Sequence, residues 1–331
     1  MAETLARPPY DPELEQTLEA LKEFLPTTLT ADMIPMARAA AAARVNIDEV
    51  IGDRPISYRS LTIPGYQGDE IQISVVHRHD HTGAGPGIYY VHGGGMIVGD
   101  RFTDVGSLVD WVDRFDAVGV TVDYRLAPEF PDPHPVEDAY AGLVWTAEHA
   151  AELGIDPHRI IVAGASAGGG IAAGTVLLAR DRRGPALLGQ MLLYPMLDDR
   201  DATVSTHQFE GLGVWDRGSN ITGWTALLGE RRGSGEVSVY AAPARATDLA
   251  GLPPAFIDCG SAEVFRDEDV AYATSLWAAG VQAELHVWPG GFHTFDTFAP
   301  DAVLTGRMLD ARKDWMARLL GTTSREGASG K

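Results

Sequence analysis

The chain has 331 residues, which suits one large domain with an appended lid or two ordinary domains. A formal net charge of -20 makes nucleic acid and anionic membrane surfaces poor partners, because such a surface repels phosphate groups and suits neutral ligands. With 45% hydrophobic and 22% charged residues the composition excludes general disorder, which we expect only at the ends, chiefly in the small polar tail 321–331.

The first fifty residues have a helical pattern. Behind Pro12, leucines recur at three- and four-residue spacing as far as Leu25, which predicts an amphipathic helix. The segment 31–45 is rich in alanine and predicts a second helix. No strand pattern is visible in this part of the sequence.

From residue 56 onward the pattern is that of strands. The segments 56–63 and 70–77 alternate apolar and polar residues across Pro64-Gly65, which predicts an antiparallel pair with one face in water. Short apolar runs, typical of parallel strands buried on both faces, follow at 88–91, 118–122, 159–163, 191–194, 255–259 and 283–288. Helical stretches lie between most of them, near 104–116, 135–153, 167–183, 265–280 and 302–320. This alternation predicts an α/β fold with an eight-stranded, mostly parallel sheet flanked by helices.

One interval interrupts the alternation. Residues 194–254 contain no clear strand, and an insertion that long usually folds separately or covers a site. We therefore expect the helices of 1–50 and an insertion at about 198–235 to form a cap. The catalytic domain is expected over 51–320, followed by a flexible tail at 321–331.

The strongest functional signal is Gly164-Ala-Ser-Ala-Gly168, a G-x-S-x-G motif. It directly follows the apolar run 160–163 and directly precedes a helix of small residues. This context is that of a nucleophile elbow, in which a tight turn projects the serine hydroxyl at the sheet edge and flanking glycines let neighbouring elements approach. We predict that Ser166 is a nucleophile.

A second motif, His92-Gly-Gly-Gly95, follows the run 88–91. Three glycines leave backbone amides uncovered, so these can donate to the oxygen of a tetrahedral intermediate, and the amide of Ala167 would add a further donor. His92 is expected to brace this loop rather than to accept a proton. A phosphate-binding turn is the alternative, but neither a G-x-G-x-x-G frame nor a G-K-[ST] sequence accompanies the glycines.

A nucleophilic serine needs a base and a carboxylate that holds the base in the right tautomer. Of the ten histidines, His293 lies in a turn just past the last predicted strand and is the candidate base. Glu263, Asp267 and Glu268 all lie between Ser166 and His293, in the order of serine, acid and histidine that α/β hydrolases use. Spacing alone does not choose among the three carboxylates.

A metal site is the alternative use of three other histidines. His77, His79 and His81 alternate as ligands would on one face of a strand. The sequence turns at glycine and proline directly afterwards, so we expect a solvated hairpin end and no metal.

Cysteine content and the first residues bear on location. The single cysteine, Cys259, excludes an intrachain disulfide and is expected in a buried strand. Met1–Leu5 lacks the basic start of a signal peptide, and no run reaches the ~20 apolar residues of a membrane span. A cytoplasmic enzyme is therefore expected.

These motifs resemble those of the hormone-sensitive-lipase-like esterases, the bacterial branch of the α/β hydrolases that carries an HGGG motif. The resemblance covers residues 56–320 and is carried by 92–95, 123–129, 130–135, the Ser166 turn and 263–268. It implies that Glu263 is the acid of a triad with Ser166 and His293, whereas Asp267 and Glu268 are structural. It also implies that the N-terminal helices belong to a cap.

The same resemblance assigns the oxyanion hole. The amides of Gly94 and Gly95 would join that of Ala167 as donors, with His92 and Gly93 supporting the loop.

Three positions depart from the family's pattern. Ala165 stands before the serine where aspartate or threonine is frequent, Glu263 replaces aspartate, and Thr294 follows the histidine where glycine is common. The longer glutamate implies a slightly shifted backbone. Thr294 adds bulk beside the base and so bears on the size of the acyl pocket.

Residues and resemblance together predict a serine carboxylesterase that hydrolyses small, neutral, short-acyl esters through an acyl-enzyme, without a metal or an organic cofactor. An amidase, a peptidase or a lactonase would share the triad, and ester over amide rests on the resemblance alone. A non-catalytic binding protein is a further alternative, disfavoured because every triad position is filled. Relatives also suggest a homodimer.

Overall fold

The fold is built on one eight-stranded sheet, seen in a computed structural model that describes residues 5–44 and 46–322. The strands are β1 (Ile56–Pro64), β2 (Glu70–Arg78), β3 (Gly85–Val91), β4 (Val118–Asp123), β5 (Ile155–Ala165), β6 (Gly189–Leu193), β7 (Ala255–Gly260) and β8 (Ala283–Trp288). Their order in space is β1-β2-β4-β3-β5-β6-β7-β8. The pairs β1–β2 and β2–β4 are antiparallel, and the others are parallel. The predicted fold class is confirmed.

Helices cover both faces of this sheet, as the alternating pattern predicts. They are α1 (Pro12–Leu21), α2 (Ile34–Arg44), α3 (Ile47–Ile51), α4 (Val105–Phe115), α5 (His134–Glu148), α6 (Ala150–Leu153), α7 (Ala167–Asp181), α8 (Val204–Gln208), α9 (Arg217–Leu228), α10 (Arg266–Ala278), α11 (Phe295–Phe298) and α12 (Val303–Leu320). The helix expected over 135–153 is divided into α5 and α6 at His149. The one expected over 31–45 begins as a 3₁₀ turn at Ala31–Met33. None of the described helices is long and apolar enough to cross a bilayer.

Two helices show how side-chain size sets the packing. Along α4, Val105, Leu108 and Val112 recur at helical spacing and are buried, and each contributes roughly 1.5–3 kcal/mol of hydrophobic stabilisation. Helix α7 instead presents glycine and alanine. A methyl group at Gly170 would lie 2.0 Å from the carbonyl oxygen of Met196, so only small residues allow this helix to pack so close.

The parallel strands place four loops at one edge of the sheet. The loop after β3 carries the glycine motif, the turn after β5 carries Ser166, the loop after β7 carries Glu263, and the turn after β8 carries His293. Ligands of open α/β sheets bind at this carboxyl edge. The fold therefore brings together side chains that lie up to two hundred residues apart in the chain.

The N-terminal segment and the insertion meet beside this edge. Thr28 Oγ1 donates to Asp216 at 2.7 Å, and the Leu29 amide donates to Ser219 Oγ at 2.8 Å. The Asp11 amide donates to the carbonyl oxygen of Gly290 at 3.0 Å, three residues before His293. Residues 323–331, most of the predicted tail, lie outside the described part of the chain.

Candidate active site

Ser166 occupies a sharp turn between β5 and α7. Its φ of 56° and ψ of -123° lie in a region that ordinary side chains avoid, which is typical of a strained, functional turn. The two flanking positions must be glycine, because any larger side chain would collide with a neighbouring backbone carbonyl group. A methyl group at Gly164 would lie 2.2 Å from the carbonyl oxygen of Gly168, and one at Gly168 would lie 2.2 Å from that of Val91. The turn is thus closed tightly around the serine.

Ser166, His293 and Glu263 form a continuous hydrogen-bonded series. Ser166 Oγ lies 2.8 Å from His293 Nε2, and His293 Nδ1 lies 2.6 Å from Glu263 Oε2. All three side chains are buried. The second oxygen, Glu263 Oε1, accepts the amide hydrogen of Gly260 at 2.5 Å, which fixes the carboxylate plane. The ring nitrogen facing the serine is therefore the one that can take its proton.

The other two carboxylates lie elsewhere. Asp267 Oδ2 accepts the amide of Ser205 at 2.8 Å, and Glu268 Oε1 accepts the amide of Leu197 at 2.7 Å. Burial raises the pKa of Glu268 well above its usual value. Geometry thus places only Glu263 of the three candidates on His293.

The imidazole of His293 is held between two aromatic rings. Tyr194 and Phe265 approach it edge-on, with ring centroids at 5.1 Å and 5.0 Å. The next residue, Thr294, has a φ of 59°, in the left-handed region that favours glycine. Glycine, which the resemblance leads us to expect at this position, adopts such a φ without strain. Spacing in one sequence does not reveal this backbone requirement.

The glycine loop lies directly beside the serine. A methyl group at Gly93 would lie 3.4 Å from Ser166 Cβ, one at Gly94 would lie 2.0 Å from the carbonyl oxygen of Val98, and one at Gly95 would meet the Trp215 ring at 2.3 Å. Gly94 and Gly95 also have φ values of 110° and 62°. Gly94 and Gly95 therefore require glycine by both contact and backbone conformation.

His92 points away from the serine and packs within the loop. Its ring stacks on Tyr124 with centroids 4.2 Å apart, and its Nδ1 lies 2.7 Å from the carbonyl oxygen of Gly93. The Tyr124 hydroxyl donates to the carbonyl oxygen of His92 at 2.9 Å. Burial lowers the pKa of His92, so the ring is neutral.

A buried ion cluster below His293 escapes prediction from the sequence. Arg312 donates to Asp258 at 2.8 Å and to Asp296 at 2.6 Å, and the Tyr194 hydroxyl donates to Asp296 at 3.1 Å. Asp258 thus serves Arg312 rather than the histidine. Arg312 is one of three arginines in the last helix, and nothing in the local sequence distinguishes it from a surface residue.

Asp104 is a second acidic group near the site. Burial of its carboxyl group raises its pKa to about 6, although the residue as a whole is only half-buried. Asp296 adds to the shift, while His293 and the Gly93 amide oppose it. A raised pKa means that the stability supplied by the protonated group is complete below about pH 4 and is lost as the pH rises through about 6.

We therefore expect Asp104→Asn to stabilise the protein at high pH. The difference in free energy of unfolding between the variant and the wild type should grow between pH 4 and pH 8, by about 3 kcal/mol at most. Urea unfolding at the two pH values measures it. The exposed substitution Asp310→Asn is the control and should give a constant difference. A constant difference for Asp104→Asn as well would contradict the assignment.

His77 lies at the end of β2, and His79 and His81 lie in the segment that follows it. Strand β2 ends at Arg78, directly after His77. The expected solvation of His81 is wrong, because its ring is largely buried and contacts Asp116 at 2.9 Å and the carbonyl oxygen of Gly154 at 3.0 Å. In the described ranges, no group of three or more histidine, cysteine or acidic residues is arranged to hold a metal ion.

The fold and this site define an α/β hydrolase. A sequence profile of the alpha/beta hydrolase fold matches residues 88–297, well over half of the chain, and the chain belongs to that family.

Individual relatives are esterases. The carboxylesterase NlhH of Mycobacterium tuberculosis is 38% identical over 333 residues, covering 94% of this chain and 97% of the relative. Esterase LipI of the same organism is 38% identical over 216 residues, covering 61% and 62%. A solved bacterial heroin esterase matches with a TM-score of 0.86 and 39% identity, covering 94% and 98% of the two chains. An esterase from the archaeon Pyrobaculum calidifontis matches with a TM-score of 0.83 and 31% identity, covering 95% and 98%. The predicted family and enzyme class, a carboxylic-ester hydrolase, are confirmed.

Proposed function

We propose that Ser166, His293 and Glu263 form the catalytic triad of this enzyme, which hydrolyses small, neutral, short-acyl esters. The observation that carries the proposal is the hydrogen-bonded series from Ser166 Oγ through His293 to Glu263, 2.8 Å and 2.6 Å long at its two steps, with the glycine loop alongside. The acidic net charge of -20 favours neutral over anionic substrates.

In the proposed mechanism His293 Nε2 takes the hydroxyl proton of Ser166 as the oxygen attacks the ester carbonyl. The amides of Gly94, Gly95 and Ala167 donate to the oxyanion that develops. His293 then protonates the departing alcohol, which leaves an acyl-serine. Water, activated by the same histidine, attacks the acyl group and regenerates the serine.

We further propose that the N-terminal helices and the insertion at about 198–235 act as a cap over this site. The contacts of Thr28 with Asp216 and of Asp11 with Gly290 support this, because they join both segments to each other and to the histidine turn. Trp215, from the insertion, lies on Gly95. Phe209 and Trp224, which also belong to the insertion, are buried.

Ester preference and acyl length are tested together. We expect turnover of p-nitrophenyl esters to be highest for acetyl to butyryl groups and to fall for longer chains, because the resemblance implies a preference for short acyl groups. The matching p-nitroanilides serve as the amide controls and should be turned over far more slowly. Equal kcat/KM for anilide and ester would favour an amidase. No turnover of any ester would leave a ligand-binding protein as the better interpretation.

We infer from the resemblance that the protein forms a homodimer. A monomer mass measured by light scattering would contradict this.

We also infer a cytoplasmic location. The lone, buried Cys259 supports this, since it needs no oxidising compartment.

A further inference from the structure

One motif of the sequence has no part in the mechanism above. Residues 123–129, with the sequence Asp-Tyr-Arg-Leu-Ala-Pro-Glu, lie against the glycine loop rather than at the serine. The Tyr124 hydroxyl donates to the carbonyl oxygen of His92 at 2.9 Å, and the Ala127 amide donates to that of Met96 at 3.0 Å. The segment therefore braces the loop from behind.

Arg38, on helix α2, joins this segment to the loop. Its Nε donates to the carbonyl oxygen of Ile97 at 2.7 Å, and one terminal nitrogen donates to that of Ala127 at 2.8 Å. Its two terminal nitrogens also form a paired contact with the Glu129 carboxylate, at 2.9 Å and 2.8 Å. One guanidinium group thus fixes three points on two loops, which its planar fork of donors allows and a lysine ammonium does not.

The contact with Ile97 leads to the oxyanion hole. The peptide unit whose carbonyl belongs to Ile97 carries the amide of Val98, and that amide donates to the carbonyl oxygen of Gly94 at 2.9 Å. The Gly94 carbonyl in turn belongs to the peptide unit that carries the Gly95 amide. Two peptide units therefore connect the charge on Arg38 to a proposed oxyanion donor.

A second series of contacts ends at the same carbonyl. The Ile97 amide also donates to Gly94, at 3.1 Å, and it belongs to the peptide unit whose carbonyl accepts from the Ala127 amide. The orientation of the Gly94–Gly95 peptide plane is thus set by two hydrogen bonds, and Arg38 contacts the backbone of both series. Chains of hydrogen bonds also polarise one another, which strengthens the terminal donor.

We propose that Arg38 is a positioning residue for the oxyanion hole, which it orients through the Ile97–Val98 and Gly94–Gly95 peptide units. The inference rests on the proposed esterase function. The ion pair between Arg38 and Glu129 contributes little to this orientation, since the carboxylate is 56% exposed. The hydrogen bonds from Arg38 to the carbonyl groups of Ile97 and Ala127 orient the loop. Because negative charge on the substrate oxygen develops only in the transition state, loss of Arg38 should lower kcat more than it raises KM.

The test compares Arg38→Ala and Arg38→Lys with wild type on p-nitrophenyl butyrate. Concentrations are taken from active-site titration with a phosphonate, so that misfolded protein is not counted. We expect Arg38→Ala to lower kcat by about 10- to 100-fold, because the donor is misplaced rather than removed, with KM within about threefold. Arg38→Lys should fall between the two. Lys22→Ala, at an exposed basic residue of the N-terminal segment that pairs with Glu19, is the control and should match wild type.

Two further readouts separate positioning from general loss of structure. The affinity for a trifluoromethyl ketone, which forms a tetrahedral adduct with the serine, should fall by the same factor as kcat/KM. Added ethylguanidinium should restore part of the kcat of Arg38→Ala and none of that of a Ser166 variant.

Unchanged kcat per titrated site and unchanged ketone affinity in Arg38→Ala would overturn the inference. So would a loss that appears only as fewer titratable sites. If instead the wild type hydrolyses no ester, or Ser166→Ala is as active as the wild type, the proposed function has failed and not the role of Arg38.

Discussion

Ser166→Ala should reduce kcat for p-nitrophenyl esters by about a million-fold, the usual loss when the nucleophile of such a triad is removed. The methyl group fits the turn because it is smaller than the serine side chain, and the change removes the hydrogen bond to His293 Nε2, 2.8 Å long. The variant should therefore fold as the wild type does, and the residual rate should reflect the glycine loop alone. Stopped-flow and long-time hydrolysis assays together cover this range.

Ser275→Ala provides the matched control. Ser275 is an exposed serine on α10 whose hydroxyl donates to its own helix at 2.9 Å, so its removal should leave turnover unchanged. A Ser166→Ala variant that retains near-normal turnover would remove this serine from the mechanism.

Glu263→Gln should lower kcat by about 10⁴-fold, because it reverses the tautomer of His293. In the wild type one carboxylate oxygen accepts from the Gly260 amide and the other lies 2.6 Å from His293 Nδ1. In the variant the amide oxygen must stay on Gly260, so the NH₂ group faces Nδ1. His293 then carries its proton on Nε2 and cannot accept one from Ser166.

Asp267→Asn is the control for the choice of acid. Asp267 accepts the Ser205 amide through one oxygen, which an asparagine oxygen replaces, so turnover should stay near that of the wild type. The reverse pattern, with Glu263→Gln active and Asp267→Asn impaired, would show that Asp267 and not Glu263 is the acid of the triad.

The sheet is predictable from the sequence because its signals are local. Apolar runs bounded by turns predict six strands, and alternation over 56–63 and 70–77 predicts the antiparallel pair. The two motifs are predictable for the same reason. The turn at Ser166 needs glycine two residues before and two residues after the serine, and the loop after β3 needs consecutive glycines. The expected burial of the strands is wrong at two places: β8 lies at the edge of the sheet with only Ala283 buried, and β2 is buried along Ile73–Val76 because β1 and β4 flank it.

What the sequence leaves open depends on contacts between distant segments. The acid is decided by which of Glu263, Asp267 and Glu268 lies next to His293 in the fold. The spacing of these residues along the chain does not give their distances to the histidine. Arg312 and Arg38 resemble ordinary surface arginines on helices. Only the fold shows that one is buried between two aspartates and that the other reaches the carbonyl groups behind the glycine loop.

Covalent labelling of the nucleophile shows directly whether Ser166 has that role. Wild type and Ser166→Ala are incubated with an alkyl p-nitrophenyl phosphonate and examined by intact-mass and peptide mass spectrometry. We expect one phosphonyl group per wild-type chain, located on Ser166, with loss of esterase activity in proportion to labelling, and no label on the variant. A label on another residue, or full activity in protein labelled at Ser166, would contradict this expectation.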